Sequence, residues 1–173
     1  LFRSPRALAL AALASLATVS ACSSAAPRTI NPDSAAHQIS TQLAARYHLP
    51  APHVSCPAGV QAQPGRTFEC TTSLAGQPLR MDARLTSTSG AFTVAPAVPV
   101  LVTASVANQL STEIGQRSGA LATVTCPGPP VLVVEVHHSF TCSASLPGEP
   151  PRAVTVTVVD DRGDFGFELA AAS

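Results

Sequence analysis

Apolar positions along the chain follow two rhythms, a period of four and a period of two, and the pair of rhythms occurs twice. Ile39, Leu43 and Tyr47 recur every fourth residue behind Asn31-Pro32-Asp33, which offers a cap and an early Pro. That spacing predicts a short amphipathic helix. Val106, Leu110 and Ile114 carry the same stripe further on, with Ser105 as the expected cap. Helices this short are marginal alone in water, so each stripe must be buried on a partner. The expected partner is the sheet that follows. Phe68, Cys70, Thr72 and Leu74 alternate with polar residues, Gly76-Gln77-Pro78 turns the chain, and Leu79, Met81, Ala83 and Leu85 alternate again. A turn over Ser87 to Gly90 leads to Phe92 and Val94. The second inward set is Phe140, Cys142, Ala144 and Leu146, then Val154, Val156 and Val158, then Phe165, Phe167 and Leu169.

These patterns are an internal repeat. Gln38 to Arg46 aligns with Gln109 to Arg117 at an offset of 71, and Val54-Ser55-Cys56-Pro57 aligns with Val124-Thr125-Cys126-Pro127 at 70. Phe68-Glu69-Cys70 aligns with Phe140-Thr141-Cys142 at 72, and Gly90-Ala91-Phe92 with Gly163-Asp164-Phe165 at 73. The drift falls where loops are expected. The expected fold class is α+β: two tandem small modules over 32–98 and 99–170, each an N-terminal helix packed on an antiparallel meander. The extended segment Ala95-Pro96-Ala97-Val98-Pro99 precedes the junction. Two apolar stretches, Val131 to Val134 and Pro96 to Val102, break the self-similarity. They are read as core strands, with interface strands as the alternative.

The start of the chain has a different character. Arg3 and Arg6 precede an apolar run from Ala7 to Val19, followed by Ser20, Ala21 and Cys22. A charged segment, an apolar segment and small residues are the parts of an export signal, here 1–21, and the run is shorter than the roughly 20 residues of a transmembrane span. Val19-Ser20-Ala21-Cys22 resembles the bacterial lipobox, in which the Cys thiol receives a diacylglyceryl group and becomes the first residue after cleavage. Cys22 is therefore the expected lipidation site, 22–31 a Ser/Ala/Pro-rich tether, and the membrane a partner through diacylglyceryl-Cys22. Several acyl chains, at about 0.8 kcal/mol per buried methylene, hold a protein on a membrane far better than one does.

Removing Cys22 from the five Cys leaves Cys56, Cys70, Cys126 and Cys142. An exported chain meets an oxidising compartment, where such residues persist as disulfides. Four Cys allow three connectivities, and the repeat favours Cys56 with Cys70 and Cys126 with Cys142, so that each module closes its own loop. Zinc would want close ligand pairs with His at ligand spacing, which these Cys lack, and no Cys-x-x-Cys occurs.

Val-x-Cys-Pro, a short loop, an aromatic two residues before a second Cys, a Gly turn and a Val/Thr-rich hairpin resemble the actinobacterial envelope family known as domain of unknown function 4333. The first copy carries the resemblance on Val54, Cys56, Pro57, Gly65, Phe68, Cys70, Gly76 and Gly90. The second departs at Gly128-Pro129-Pro130 and Val131 to Val134, and Gly65 has no counterpart ahead of Phe140. The resemblance implies an exported, often lipid-anchored protein with no established activity.

Composition narrows the partners. Ten Arg, no Lys and ten acidic residues give zero net charge, without the basic footprint a nucleic-acid protein needs; loss of Arg3 and Arg6 with the signal leaves a slight negative excess. His37, His48, His53, His137 and His138 have no matching His in the other copy and are read as surface or loop residues. Asp160, Asp161 and Asp164 are read as a hairpin turn rather than a calcium loop, because the matching turn Ser87 to Gly90 has no acid. No Gly-x-Ser-x-Gly, Walker or dinucleotide pattern is present. The expectation is therefore no catalytic residue, no metal and no cofactor: a non-enzymatic, lipid-anchored binding module on the extracytoplasmic face of the cell membrane, with an envelope protein or lipid as partner. The alternative expectation is an inhibitor of a secreted enzyme, since the chain is similar in architecture only to the beta-lactamase inhibitory proteins.

Overall fold

The structure, a computed structural model, describes residues 28–171. The expected signal 1–21, Cys22 and the tether before Arg28 lie outside the described residues. The chain runs α1 (Pro32–Tyr47), β1 (Val54–Ser55), β2 (Thr67–Leu74), β3 (Gln77–Leu85), β4 (Phe92–Pro96) and β5 (Val100–Val102). It continues through α2 (Thr103–Ser118), β6 (Thr123–Thr125), β7 (Val131–Val133), β8 (Ser139–Ser145), β9 (Arg152–Val158) and β10 (Phe165–Leu169). The first module is α1 on an antiparallel sheet ordered β1-β2-β3-β4, and the second is α2 on a sheet ordered β6-β8-β9-β10. The fold is α+β, one helix and one disulfide per module, as the repeat predicts.

The helices start differently. Asn31 Oδ1 accepts the backbone N–H of Ser34 at 3.0 Å, and Pro32, which has no N–H to satisfy, opens α1. Ser105 does not cap α2, which begins two residues earlier, at Thr103. There the hydroxyl donates to Pro129 O at 2.6 Å and the backbone N–H to Pro130 O at 3.0 Å. A neighbouring loop thus supplies the partner that a capping side chain would have supplied. The stripes are buried as their period requires: Ala35, Ile39, Leu43 and Tyr47 in α1, and Val106, Leu110 and Ile114 in α2.

Each helix is tied to its sheet through the Ser that the copies share. Ser40 Oγ donates to Pro52 O at 2.6 Å, and Ser111 Oγ accepts Val124 N–H at 3.0 Å. Strand alternation is as expected, with the inward set fully buried in β3 and β9 and half-buried in the edge strands β4 and β10 and at Thr72, Phe140 and Leu146; the Thr72 hydroxyl bonds His53 O at 2.7 Å.

The two apolar stretches pair with each other. β5 and β7 form an antiparallel ribbon with Val100 opposite Val133, Leu101 opposite Leu132 and Val102 opposite Val131. Alternation splits its side chains between two cores. Leu101, Leu132 and Val134 pack into the second module, while Val131, with none of its surface exposed, lies in the core of the first, flanked by Val98, Val100, Val102 and Val133. These stretches are core strands, as read, and the core they fill is shared by two modules.

In the first copy the ribbon shrinks to a single bridge, Thr29 opposite Gln61, with Ile30 N–H bonded to Val60 O at 2.9 Å. Thr29, Asn31, Gly59 and Gln61 there occupy the places of Val100, Val102, Val131 and Val133, and three of the four are exposed. Gln77 completes the junction: its Nε2 donates to Val131 O at 2.8 Å and its Oε1 accepts Val133 N–H at 3.1 Å. A side-chain amide thus occupies the free side of β7 as a neighbouring strand would.

Gly65 has a counterpart after all. Gly65 N–H donates to Leu85 O at 2.7 Å, and His137 N–H donates to the equivalent Val158 O at 2.8 Å. Both residues sit at positive φ, 87° and 67°. Only Gly adopts this region freely, so His137 is strained there. His137→Gly is expected to raise stability by about 1 kcal/mol, measured by urea unfolding. Gln77→Ala orphans two peptide groups and is expected to lower stability by about 1–3 kcal/mol; calorimetry should also show the single unfolding transition begin to separate into two.

Candidate functional site

The four described Cys pair as the repeat predicts, Cys56 with Cys70 and Cys126 with Cys142. The register explains the motif around them. Val54 faces Thr72 and Ser55 faces Thr71, so Cys56 falls directly opposite Cys70; Thr125 faces Ser143, so Cys126 falls opposite Cys142. The Cα separations of 4.4 and 4.2 Å are those of a cross-strand pair. A strand of two or three residues makes too few hydrogen bonds to hold its edge position alone, and the disulfide adds one covalent rung. In Val-x-Cys-Pro the Val is buried, the next residue faces out, the Cys crosslinks and the Pro, lacking an N–H, ends the ladder. Each loop, closed across 14 or 16 positions, contributes about 3 kcal/mol in the chain-entropy model.

The acidic turn is held by local bonds. Asp160 Oδ1 accepts the backbone N–H groups of Arg162 and Asp164, each at 3.0 Å, and Oδ2 accepts Nε and Nη2 of Arg162 at 3.1 and 3.0 Å. In the first copy Ser87 Oγ takes the same place, accepting Ala91 N–H at 3.1 Å. An alcohol and a carboxylate thus do one job, which is turn chemistry. A Cβ on Gly163 would stand 3.0 Å from Leu101 Cδ2, and one on Gly90 would stand 3.5 Å from Ile30 Cγ2. Both turns close on the apolar residue two positions ahead of their module's helix, so Arg162-Gly163-Asp164 is pinned at its centre.

That turn forms one wall of a cleft between the modules, of about 420 Å³, lined by Arg46, Tyr47, Asp82, Pro96, Pro99, Val100, Asp161 and Arg162. Two guanidinium groups, two carboxylates and a phenol line an otherwise apolar junction. Arg46 lies over the Tyr47 ring, 5.6 Å from its centroid. Burial pushes the Tyr47 phenol above its usual pKa, and the nearby Arg46 charge pulls the other way. The lining thus offers both signs of charge beside apolar surface. Sequence reasoning missed the cleft because its walls come from segments far apart in the chain, from Arg46 to Arg162.

His37, His48, His53, His137 and His138 are all exposed. Among the described residues no group of three His, Cys, Asp or Glu is placed to hold a metal ion, and no helix is long and apolar enough to cross a membrane.

A family model described as a domain of unknown function, DUF4333, matches residues 17–90 and again 89–163. No curated protein and no solved structure matches the chain.

The bonds to Asp160, first the Asp164 N–H, hold its carboxyl below the usual carboxylate range. Stabilisation from this group is therefore present above a pH of about 4 and fades as pH falls through the lowered value. An NMR titration of the Asp160 side chain is expected to place its midpoint below 3.8, and Asp160→Asn should remove that part of the acid dependence of stability.

Proposed function

The chain belongs to the DUF4333 family in two tandem copies, and on that footing we propose that it is a lipid-anchored cell-envelope protein acting as a non-catalytic binding module. The observation that carries the proposal is Val19-Ser20-Ala21-Cys22 at the end of an apolar run, ahead of two modules each closed by a disulfide. A lipobox places the folded part outside the cytoplasmic membrane, and disulfides persist in such a compartment. The anchor in this reading is diacylglyceryl-Cys22, a few residues ahead of Thr29, where the folded first module begins with its bridge to Gln61.

The binding role draws on the cleft between the modules. Arg46 and Asp82 of the first module and Asp161 and Arg162 of the second line it together with Pro96, Pro99 and Val100. Mixed charge at a rim around apolar surface is the make-up of a protein interface, and the partner in this reading is an envelope protein.

Cys22→Ala is expected to move the protein from the membrane fraction to the soluble exported fraction and to remove the mass of the lipid. Globomycin, which blocks lipoprotein signal cleavage, should leave the wild-type signal uncut. Unchanged fractionation and mass in both experiments would overturn the anchor.

A further inference from the structure

We propose that β10 is a pairing edge whose partner is the β10 strand of a second copy of this chain. The proposal is independent of the anchor and of the cleft, because it rests on the outer edge of the second sheet.

β10 lies at one end of the order β6-β8-β9-β10. Val159 N–H donates to Asp164 O at 2.8 Å, and Ala170 N–H donates to Ala153 O at 2.9 Å. Even-numbered residues of this stretch therefore aim their backbone groups at β9, and Phe165, Phe167 and Leu169 aim theirs outward. Among the described residues, nothing pairs with that outer side.

The first copy provides a control within the same chain. Its edge strand β4 is oriented by Ala97 N–H bonding Arg80 O at 2.9 Å, which turns the backbone of Phe92, Val94 and Pro96 outward. Pro96 thus stands at an outward position and withholds an N–H; the equivalent residue of β10 is Leu169. The exposed face of the first sheet also carries Glu69, Arg80, Asp82 and Arg84, where the second carries Thr141, Ala153, Thr155 and Thr157. Proline and charge are the devices by which edge strands avoid pairing. The first sheet has both; the exposed face of the second has only Glu168, while on its inner face Arg117 lies over the Phe167 ring, 4.6 Å from the centroid.

The strand is self-complementary. Antiparallel pairing centred on Phe167 sets Phe165 opposite Leu169 of the second copy and the two Phe167 rings side by side on the inner face. Glu168 then falls opposite Gly166 of the second copy, so the carboxylates do not confront each other. Such an isologous contact closes at two copies. Phe165, Phe167 and Leu169, all half-buried in one copy, lose further surface in the pair.

The test uses the exported protein carrying Cys22→Ala. Sedimentation equilibrium should show a dimer that grows with concentration. Hydrogen exchange of the Phe165, Phe167 and Leu169 amides should slow by about tenfold or more from dilute to concentrated samples, with the Phe92 and Val94 amides unchanged. Leu169→Pro, which gives β10 the edge of β4, should leave a monomer with an unchanged unfolding midpoint. Gly166→Glu keeps every β10 bond, since a Cβ there meets only Val159 Cγ1 at 4.0 Å. It sets carboxylates opposite each other and should weaken the dimer about tenfold, with recovery when Glu168→Lys is added. A monomer up to millimolar concentration, or a dimer indifferent to both variants, would overturn the proposal.

Discussion

The position of β7 between two cores is the constraint on which the arrangement of this chain depends. Val131 has no exposed surface, yet the fully buried residues it clusters with all belong to the first module. The residues that alternate with it, Leu132 and Val134, serve the second. A peptide segment with apolar side chains on both faces still has backbone groups to satisfy, and β5 satisfies only one side of it. The amide of Gln77 takes the other, reaching Val131 O and Val133 N–H together. Because a primary amide has the same donor and acceptor as a peptide group, one side chain does the work of a third strand. Gln77 stands at the start of β3, directly after the Ala75-Gly76 hairpin turn, where φ is 48° and 81°. The strained turn of one module thus positions the residue that receives the other.

Much of this architecture was legible in the pattern of residues. Ile39, Leu43 and Tyr47 announce a helix face, and Leu79, Met81, Ala83 and Leu85 announce a strand, because burial on one side imposes a period. The disulfides were legible because two copies of one loop carried the same pair. The ribbon was not legible as a pair. β5 and β7 have three residues each, too few to express a period, and about thirty positions separate them. Nor did His137 signal that it stands where Gly65 stands, since positive φ at a His leaves no trace in hydrophobicity. Cys22 was singled out from its surroundings in the sequence alone.

The copies preserve geometry more faithfully than identity. Ser87 and Asp160 hold the same turn with different oxygens, and Ser40 and Ser111 tie helix to sheet with the hydroxyl in opposite roles, donor in one and acceptor in the other. Where the copies diverge in chemistry rather than in residue, the difference lies at a surface: four polar or small positions become valine at the junction, and four charged positions become neutral on the second sheet. The cleft of mixed charge beside the junction takes residues from both copies, whereas the edge strand that lacks proline belongs to the second copy alone.

The junction also has a direction. The second module inserts valines and the first receives them beside Leu74 and Leu79. The residue of the second module equivalent to Leu79 is Arg152, whose Nε donates to Ala170 O at 2.8 Å, and the inserting face of the first module is Thr29, Asn31, Gly59 and Gln61. A third module joined through the same junction would find no apolar socket at one end and no apolar plug at the other. Extending the array through this same junction would therefore require apolar replacements at Arg152 or at Thr29, Asn31, Gly59 and Gln61.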